Sequence, residues 1–340
     1  MENIILIDGS IGGGQILRTS LSLSALTKKP FKIFNIRGKR ENAGLRNQHL
    51  TAVNAIAKIC NAKLKGNELN SKELEFIPSE IIPGNYNFDI GTAGSTTLVL
   101  QTLLPALIFS NKKSKIEIIG GTANPLAPPA LEIKEVFLWH LKQLGIEINL
   151  EIIKEGFYPK GGGKINVEIN PCKEIKTIKL PEPNKGHYEE TKLITVISKY
   201  LENKGIAKKL IKNFKLNFPI NYKIECEEIY VNTLSPGCYL HSNYHYNDHK
   251  IGMSILGDKS IKSEDLGKEC ALKLLDEMKT GATTDHFTAD QLLIYIGIKG
   301  EGKIKVSQFT DHMKTNIQVI EKFLDVKFNI ENNLISCSKI

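Results

Sequence analysis

No Cys-x-x-Cys pair occurs among the six cysteines of this 340-residue chain, Cys60, Cys172, Cys226, Cys238, Cys270 and Cys337. Their scatter excludes a zinc knuckle and a compact disulfide framework. No run approaches the roughly 18 apolar residues needed to cross a bilayer, and the opening "MENIILIDGS" has no basic region ahead of its apolar stretch. These absences point to an intracellular, cytoplasmic chain without a membrane partner. Two familiar nucleotide loops are missing as well. Gly9 and Gly14 have the spacing of a phosphate-binding P-loop, but Gln15-Ile16 stands where Lys-Ser/Thr is required. Leu17 occupies the place of the last glycine in a dinucleotide-binding Gly-x-Gly-x-x-Gly turn.

What is present reads as an ordinary folded protein, 41% apolar and 24% charged, long enough for two or three domains. A formal net charge of +8 favours polyanionic partners, although lysine-rich surfaces also arise as plain solvated faces. The placement of the charge therefore decides its meaning. Three segments read alike: "GGGQILRTSLSLSALTKKPFKIFNIRG", "GTAGSTTLVLQTLLPALIFSNKKSKIEIIGG" and "TADQLLIYIGIKGEGKIKVSQFTD". Each is an apolar helix, a basic or Gly-containing turn and a β-rich run. A second helix follows each one, marked by the stripes Val53/Ile56/Ala57/Cys60, Ile133/Val136/Phe137/Leu141/Leu144 and Met313/Ile317/Ile320/Leu324. Two β-like runs follow that.

With a strand before the first helix, less clear in the third copy, the unit is βαβαββ. The expected fold is thus α/β (α+β), with three such repeats around a pseudo-threefold axis and an inserted smaller α/β domain. Residues 1–179 hold repeats one and two, 180–277 the insert, and 278–340 the third repeat. Under that arrangement equivalent loops converge, and a site is expected where they meet.

Several residue groups could carry chemistry there. The triple glycine Gly12–Gly14 is either a tight strand-to-helix turn or a helix N-terminus offering free N–H groups to a phosphate. Arg18 lies one turn into that helix, and "IRGKRENAGLRNQHL" supplies Arg37, Arg40 and Arg46, then Gln48 and His49. Arginine forks grip phosphate bidentately. Gln101 is a polar side chain inside an apolar run, either a ligand group or a buried backbone cap. "GGTANPLAPP" is a stiff loop. His312, in "FTDHMKTN", falls at the strand-to-helix turn of the third copy, where an imidazole could act on phosphorus or merely cap the turn. "HSNYHYNDH" spaces His241, His245 and His249 by four, yet in a β-turn context without a cysteine or carboxylate at zinc-ligand spacing.

Taken together, "GGGQILRTSLSLS", "IRGKRENAGLRNQHLTAV", "GTAGSTTLVLQTLLPAL", "GGTANPLAPPA", "GFYPKGGG", "TADQLL" and "HMKTNI" resemble the RNA 3'-terminal phosphate cyclase family over nearly the whole chain outside the insert. The resemblance implies ATP-dependent conversion of an RNA 3'-terminal phosphate to a 2',3'-cyclic phosphate, a ligase-type reaction in RNA processing. His312 matches the nucleophile that forms a covalent histidine-AMP adduct. Gln101, Pro128 and the segment Phe287, Thr288, Ala289, Asp290 and Gln291 match ATP-contacting positions, with Phe287 standing where some relatives have tyrosine. Arg18, Arg37, Arg40 and Gln48 match positions that bind the RNA end or the nucleotide phosphates. The resemblance implies ATP and a divalent metal, Mg²⁺ or Mn²⁺, as cofactors, and RNA with a 3'-terminal phosphate as partner. It leaves a homo-oligomer open.

The chain departs from the family pattern at one place. "DGSIGGGQ" is two residues shorter than the family's loop and lacks the glutamate before the glycines, so Asp8, Glu41 or Asp290 is expected to supply the carboxylate for the metal. Two other readings compete. One is a non-catalytic cyclase-like factor in ribosomal RNA processing, against which the presence of His312 argues. The other is an enolpyruvyl transferase, which would need six units.

Overall fold

The structure, a computed structural model, describes residues 4–178, 188–219, 223–246 and 249–340. It is a mixed α/β protein with four sheets among the described residues. The first unit runs β1 (Ile5–Asp8), a 3₁₀ turn (Gly9–Ile11), α1 (Gly14–Thr27), β2 (Phe31–Phe34), α2 (Asn47–Cys60), β3 (Lys63–Lys65) and β4 (Leu74–Ile77). Its sheet has the order β1-β2-β4-β3, with β1 and β2 parallel and the other pairs antiparallel.

The second unit runs β5 (Asn85–Asp89), α3 (Thr96–Leu107), β6 (Ser114–Gly120), α4 (Ala130–Glu132), a π-helical turn (Ile133–Phe137), α5 (Leu138–Gln143), β7 (Ile148–Lys154) and β8 (Gly163–Ile169). Its order is β5-β6-β8-β7, again with the first pair parallel. Order and sense thus recur from the first sheet to the second. The fourth sheet and its helices comprise β9 (Tyr188–Ser198), α6 (Ile206–Asn217), β10 (Ile224–Val231), β11 (Cys238–Tyr246), β12 (His249–Leu256) and α7 (Ser263–Lys279). They occupy most of the span read as the insert, whose residues 180–187, 220–222 and 247–248 lie outside the described ones. Of "HSNYHYNDH", residues 241–246 lie on β11 and His249 opens β12, which pairs antiparallel with it; residues 247–248 lie outside the described ones.

The last unit runs α8 (His286–Lys299), β13 (Glu301–Lys305), α9 (Asp311–Phe323), β14 (Val326–Glu331) and β15 (Leu334–Lys339). Its sheet, β13-β15-β14, has three strands, so the strand expected ahead of the first helix is absent among the described residues. Asn332 and Asn333, at φ 48° and 64°, close the β14/β15 hairpin in the left-handed conformation that tight hairpins require. The recurrence is one of strand order and sense; an axis relating the copies is not a property of strand order.

Helix packing explains the apolar sequences. Ile16, Leu17, Leu21, Leu23 and Ala25 of α1 are buried together, because α1 packs against α2, α3 and α9 and has little solvent face left. Its buried serines find carbonyl acceptors: Ser20 Oγ donates to that of Ile16, one turn back, at 2.7 Å, and Ser22 Oγ to that of Thr102 on α3 at 2.8 Å. One continuous core runs through the three repeat-like sheets, and a second lies under α6 and α7. A small third cluster, Ala123, Leu131, Phe157, Ile194, Val196 and Tyr239, joins the two.

Candidate active site

A cleft of about 670 Å³ opens where the helix starts of the three units meet, a volume suited to a nucleotide-sized ligand. Gly13, Gly14, Gln15 and Arg18 reach it from α1, Arg37 and Arg40 from the following loop, and Gln48 and His49 from α2. Gln101 comes from α3 and Pro128 from the loop before α4. Phe287, Asp290 and Gln291 come from α8, and His312 from α9. Ten of the predicted residues therefore line one cavity: Arg18, Arg37, Arg40, Gln48, Gln101, Pro128 and His312, together with three of the five residues predicted on α8; Arg46 does not.

Thr288 and Ala289 do not reach it. A helix shows neighbours at i, i+3 and i+4 on one face, so Phe287, Asp290 and Gln291 face the cleft while Thr288 and Ala289 turn inward and are buried. Asp8 and Glu41 are also elsewhere. Asp8 ends β1, where its Oδ1 accepts from the Ser10 amide at 2.9 Å and caps the 3₁₀ turn. It borders a separate groove with Gln318, Glu321 and Lys322. Glu41 is exposed on the arginine loop and is not part of the cleft wall. Of the three carboxylates expected to hold a metal, only Asp290 is in place.

The glycines have a specific task. A Cβ on Gly14 would lie 2.5 Å from His49 Nε2, so the bare backbone lets the imidazole lie against the start of α1. The N-cap is Gly13, with no side chain capping the first turn. Free N–H groups of a 14-residue helix thus face the cleft, with the partial positive charge of its N-terminus. Arg18 is half-buried, and burial pulls its pKa down to about 10, leaving it charged. His49 is buried; burial first, then Arg18, Arg37 and Arg46, depress it to about 3, so it is neutral. Its Nδ1 accepts from the Arg46 amide at 3.3 Å, which leaves Nε2 toward α1.

Arg37 is committed to its own loop. It adopts φ 54° and donates to the carbonyls of Asn42 at 2.7 Å and Gly44 at 3.0 Å. Gln48 ties α2 to the second unit, its Oε1 accepting from the Ser95 amide at 3.0 Å. Gln101 Nε2 donates to Gln291 Oε1 at 2.6 Å, joining α3 to α8.

Asp290 is the hub between the first and third units. Gln15 Nε2 donates to both of its oxygens at 2.6 Å, and Asn316 Nδ2 to Oδ1 at 3.2 Å. Thr19 Oγ1 in turn donates to Asn316 Oδ1 at 2.7 Å. Burial raises the Asp290 carboxyl, against the hydrogen bond from Gln15 and the charges of His312 and Arg18. His312 is exposed in the first turn of α9, which Thr310 caps by accepting from the Met313 amide at 3.2 Å.

Sequence reasoning missed Gln15, Asn316 and Glu132 as cleft residues. Asn316 stands four residues after His312 on the same helix, a spacing that could have revealed it. Glu132, an acid within the apolar run after two prolines, carried a weaker signal. Among the described residues no group of three His, Cys, Asp or Glu side chains is placed to hold a metal ion, and the cleft wall has two carboxylates, Glu132 and Asp290.

The uncapped start of α1 and three arginines of the first unit, facing one cleft with side chains from the other α/β units, define the class: an α/β protein with a site suited to anionic groups. Comparison with known proteins narrows it. The family model for RNA 3'-terminal phosphate cyclase matches residues 10–330. The chain is 39% identical over 336 residues to an RNA 3'-terminal phosphate cyclase of Pyrococcus furiosus, covering 97% of this chain and 96% of the relative. It is 42% identical over 338 residues to that of Sulfolobus acidocaldarius (97% and 98% covered), and 36% over 328 residues to that of Ectopseudomonas mendocina (96% and 94%). The chain belongs to the RNA 3'-terminal phosphate cyclase family.

Proposed function

We propose that this chain converts the 3'-terminal phosphate of an RNA to a 2',3'-cyclic phosphate, using ATP and a covalent adduct between His312 and AMP. The observation that carries the reading is the exposed imidazole of His312 on the same cleft as Arg18, Arg40 and the uncapped start of α1. A terminal phosphate repels nucleophiles and has no good leaving group. Adenylylation provides one. The His312 imidazole attacks the α-phosphorus and pyrophosphate departs; an oxygen of the RNA 3'-phosphate then displaces His312. The vicinal 2'-hydroxyl finally closes the ring and expels AMP, helped by the effective molarity of an intramolecular reaction. The chain's part is to position these groups and offset their charge with Arg18, Arg40 and the N–H groups of α1.

Pro128 and the exposed ring of Phe287 are suited to flank a base. Asp290 is the predicted metal ligand that lines the cleft. One carboxylate together with substrate phosphates is a donor set Mg²⁺ accepts, and the ion would supply charge neutralisation there. The test is an RNA bearing a 3'-phosphate, incubated with ATP and Mg²⁺ or Mn²⁺. Its end should become resistant to phosphatase only when ATP is present; a chain that binds ATP and leaves the end phosphatase-sensitive would support the non-catalytic reading instead.

A further inference from the structure

We infer that Asn316 is the positioning residue for the His312 nucleophile: by hydrogen-bonding α9 to both α1 and α8, it fixes the turn of helix from which the imidazole is aimed. The inference rests on the proposed transfer of AMP to His312 and names what makes that transfer fast. Asn316 follows His312 by four residues on α9, one helical turn and about 6 Å along the axis, so the two side chains leave neighbouring positions of one face. His312 is exposed, and among the described residues no hydrogen bond holds its imidazole. The seating of α9 therefore sets the direction of the ring.

Asn316 is only 3% exposed, and its amide is engaged at both ends. Its Oδ1 accepts from Thr19 Oγ1 of α1 at 2.7 Å, while its Nδ2 donates to the main-chain carbonyl of Asp290 on α8 at 3.0 Å and to Asp290 Oδ1 at 3.2 Å. Thr19 is itself buried, and Gln15, one turn before it on α1, closes the same network through the Asp290 carboxylate. Among the described residues Asn316 is the one side chain of α9 that hydrogen-bonds to α1 or α8. Its companions on the buried face, Met313, Ile317, Ile320 and Phe323, are apolar.

Apolar contact is non-directional, so a face of Met, Ile and Phe can settle after a small shift or rotation. A buried Asn with donor and acceptor both engaged admits one height and one rotation, as a single buried Asn fixes register in a coiled coil. In-line attack on phosphorus needs that definition: the reacting atoms must approach to about 3–3.5 Å, and a misplacement of about 1 Å costs on the order of 100-fold. Replacing both partners of a buried hydrogen bond by apolar groups of the same shape, by contrast, is nearly neutral for stability. Aim and stability are therefore separable here.

The test is single-turnover transfer of labelled AMP from saturating ATP to His312 in the full chain, with Mg²⁺ or Mn²⁺ present and ATP affinity measured separately at equilibrium. The paired variant Thr19→Val/Asn316→Leu should be slowed roughly 10- to 100-fold, with ATP affinity and melting temperature close to wild type. Thr19→Val alone should also be slow, and Thr19→Ser, which keeps the hydroxyl, should restore the rate. Acylation of His312 by a small reagent, which requires no aim, should proceed at the wild-type rate in the paired variant, as read by mass spectrometry. A paired variant that transfers AMP as fast as wild type overturns the inference, as does a rate loss explained by weaker ATP binding or paralleled by slower acylation. If the paired variant does not fold, Thr19→Ser as slow as Thr19→Val overturns it equally. A wild-type chain that takes no label defeats the adenylylation reading and this inference with it, whereas labelling indifferent to Thr19 and Asn316 defeats the inference alone.

Discussion

His49 shows how much a site can demand of a residue without chemistry of its own. It is buried, its Nδ1 is tied to the Arg46 amide, and only the absent side chain of Gly14 gives its ring room. The folded state holds its pKa near 3 against an ordinary 6.5. Below pH 6.5 the unfolded chain therefore takes up a proton that the folded one refuses. The stability this residue contributes is lost as pH falls from 6.5 toward 3, with a slope of at most about 1.4 kcal/mol per pH unit. His49→Gln should flatten the acid side of a denaturation-versus-pH curve; parallel curves for the two proteins would contradict the burial argument. No spacing rule reveals such a residue. In the sequence His49 is one polar side chain at a helix start, and its meaning comes from Gly14, 35 positions earlier.

At the scale of elements, periodicity read the helices well and their faces less well. Val53, Ile56, Ala57 and Cys60 form the buried stripe expected of α2, because a helix against a core must repeat its apolar side chains every three to four residues. The run 287–291 was carried over from a resemblance as five adjacent residues, and the helix divides it into a cleft face and a core face. Asp8 was equally illegible: a carboxylate beside glycines reads as a ligand until the 3₁₀ turn claims it as a cap. The start of α1 offers a direct probe. In Gly14→Ala the added methyl would meet the His49 ring, and an overpacked contact of this kind costs about 1–3 kcal/mol. We expect a lowered melting temperature and weakened binding of phosphate-bearing ligands, seen by calorimetry; a variant with wild-type stability and binding would show that the ring moves aside freely.

For the whole molecule, the mixed α/β character was legible because apolar helices alternate with short β runs, and the strand order of the first sheet recurs in the second. The third sheet's missing first strand was foreshadowed only by a weak β signal. How the fourth sheet joins the rest was not legible, since it depends on a buried carboxyl far from its partners in sequence. Glu155 accepts from Tyr239 of β11, O···O 2.8 Å, and from the Thr122 hydroxyl, beside the apolar cluster at the junction. Burial raises its pKa, and these two donors offset the cost of placing it there. Removing one donor leaves the acid under-satisfied, a loss of about 1–3 kcal/mol. Tyr239→Phe should therefore speed amide exchange at the junction while each sheet keeps its own protection; uniform loosening throughout would mean that the junction and the cores unfold as one.

The central claim is that His312 becomes covalently linked to AMP. The direct measurement is incubation of the chain with α-labelled ATP and Mg²⁺ or Mn²⁺, followed by denaturation and acid treatment. A phosphoramidate predicts label on the protein that survives denaturation, is released by acid and is missing from His312→Asn. Label that resists acid, or that persists in His312→Asn, would contradict the account, as would an unlabelled wild-type chain that still binds ATP.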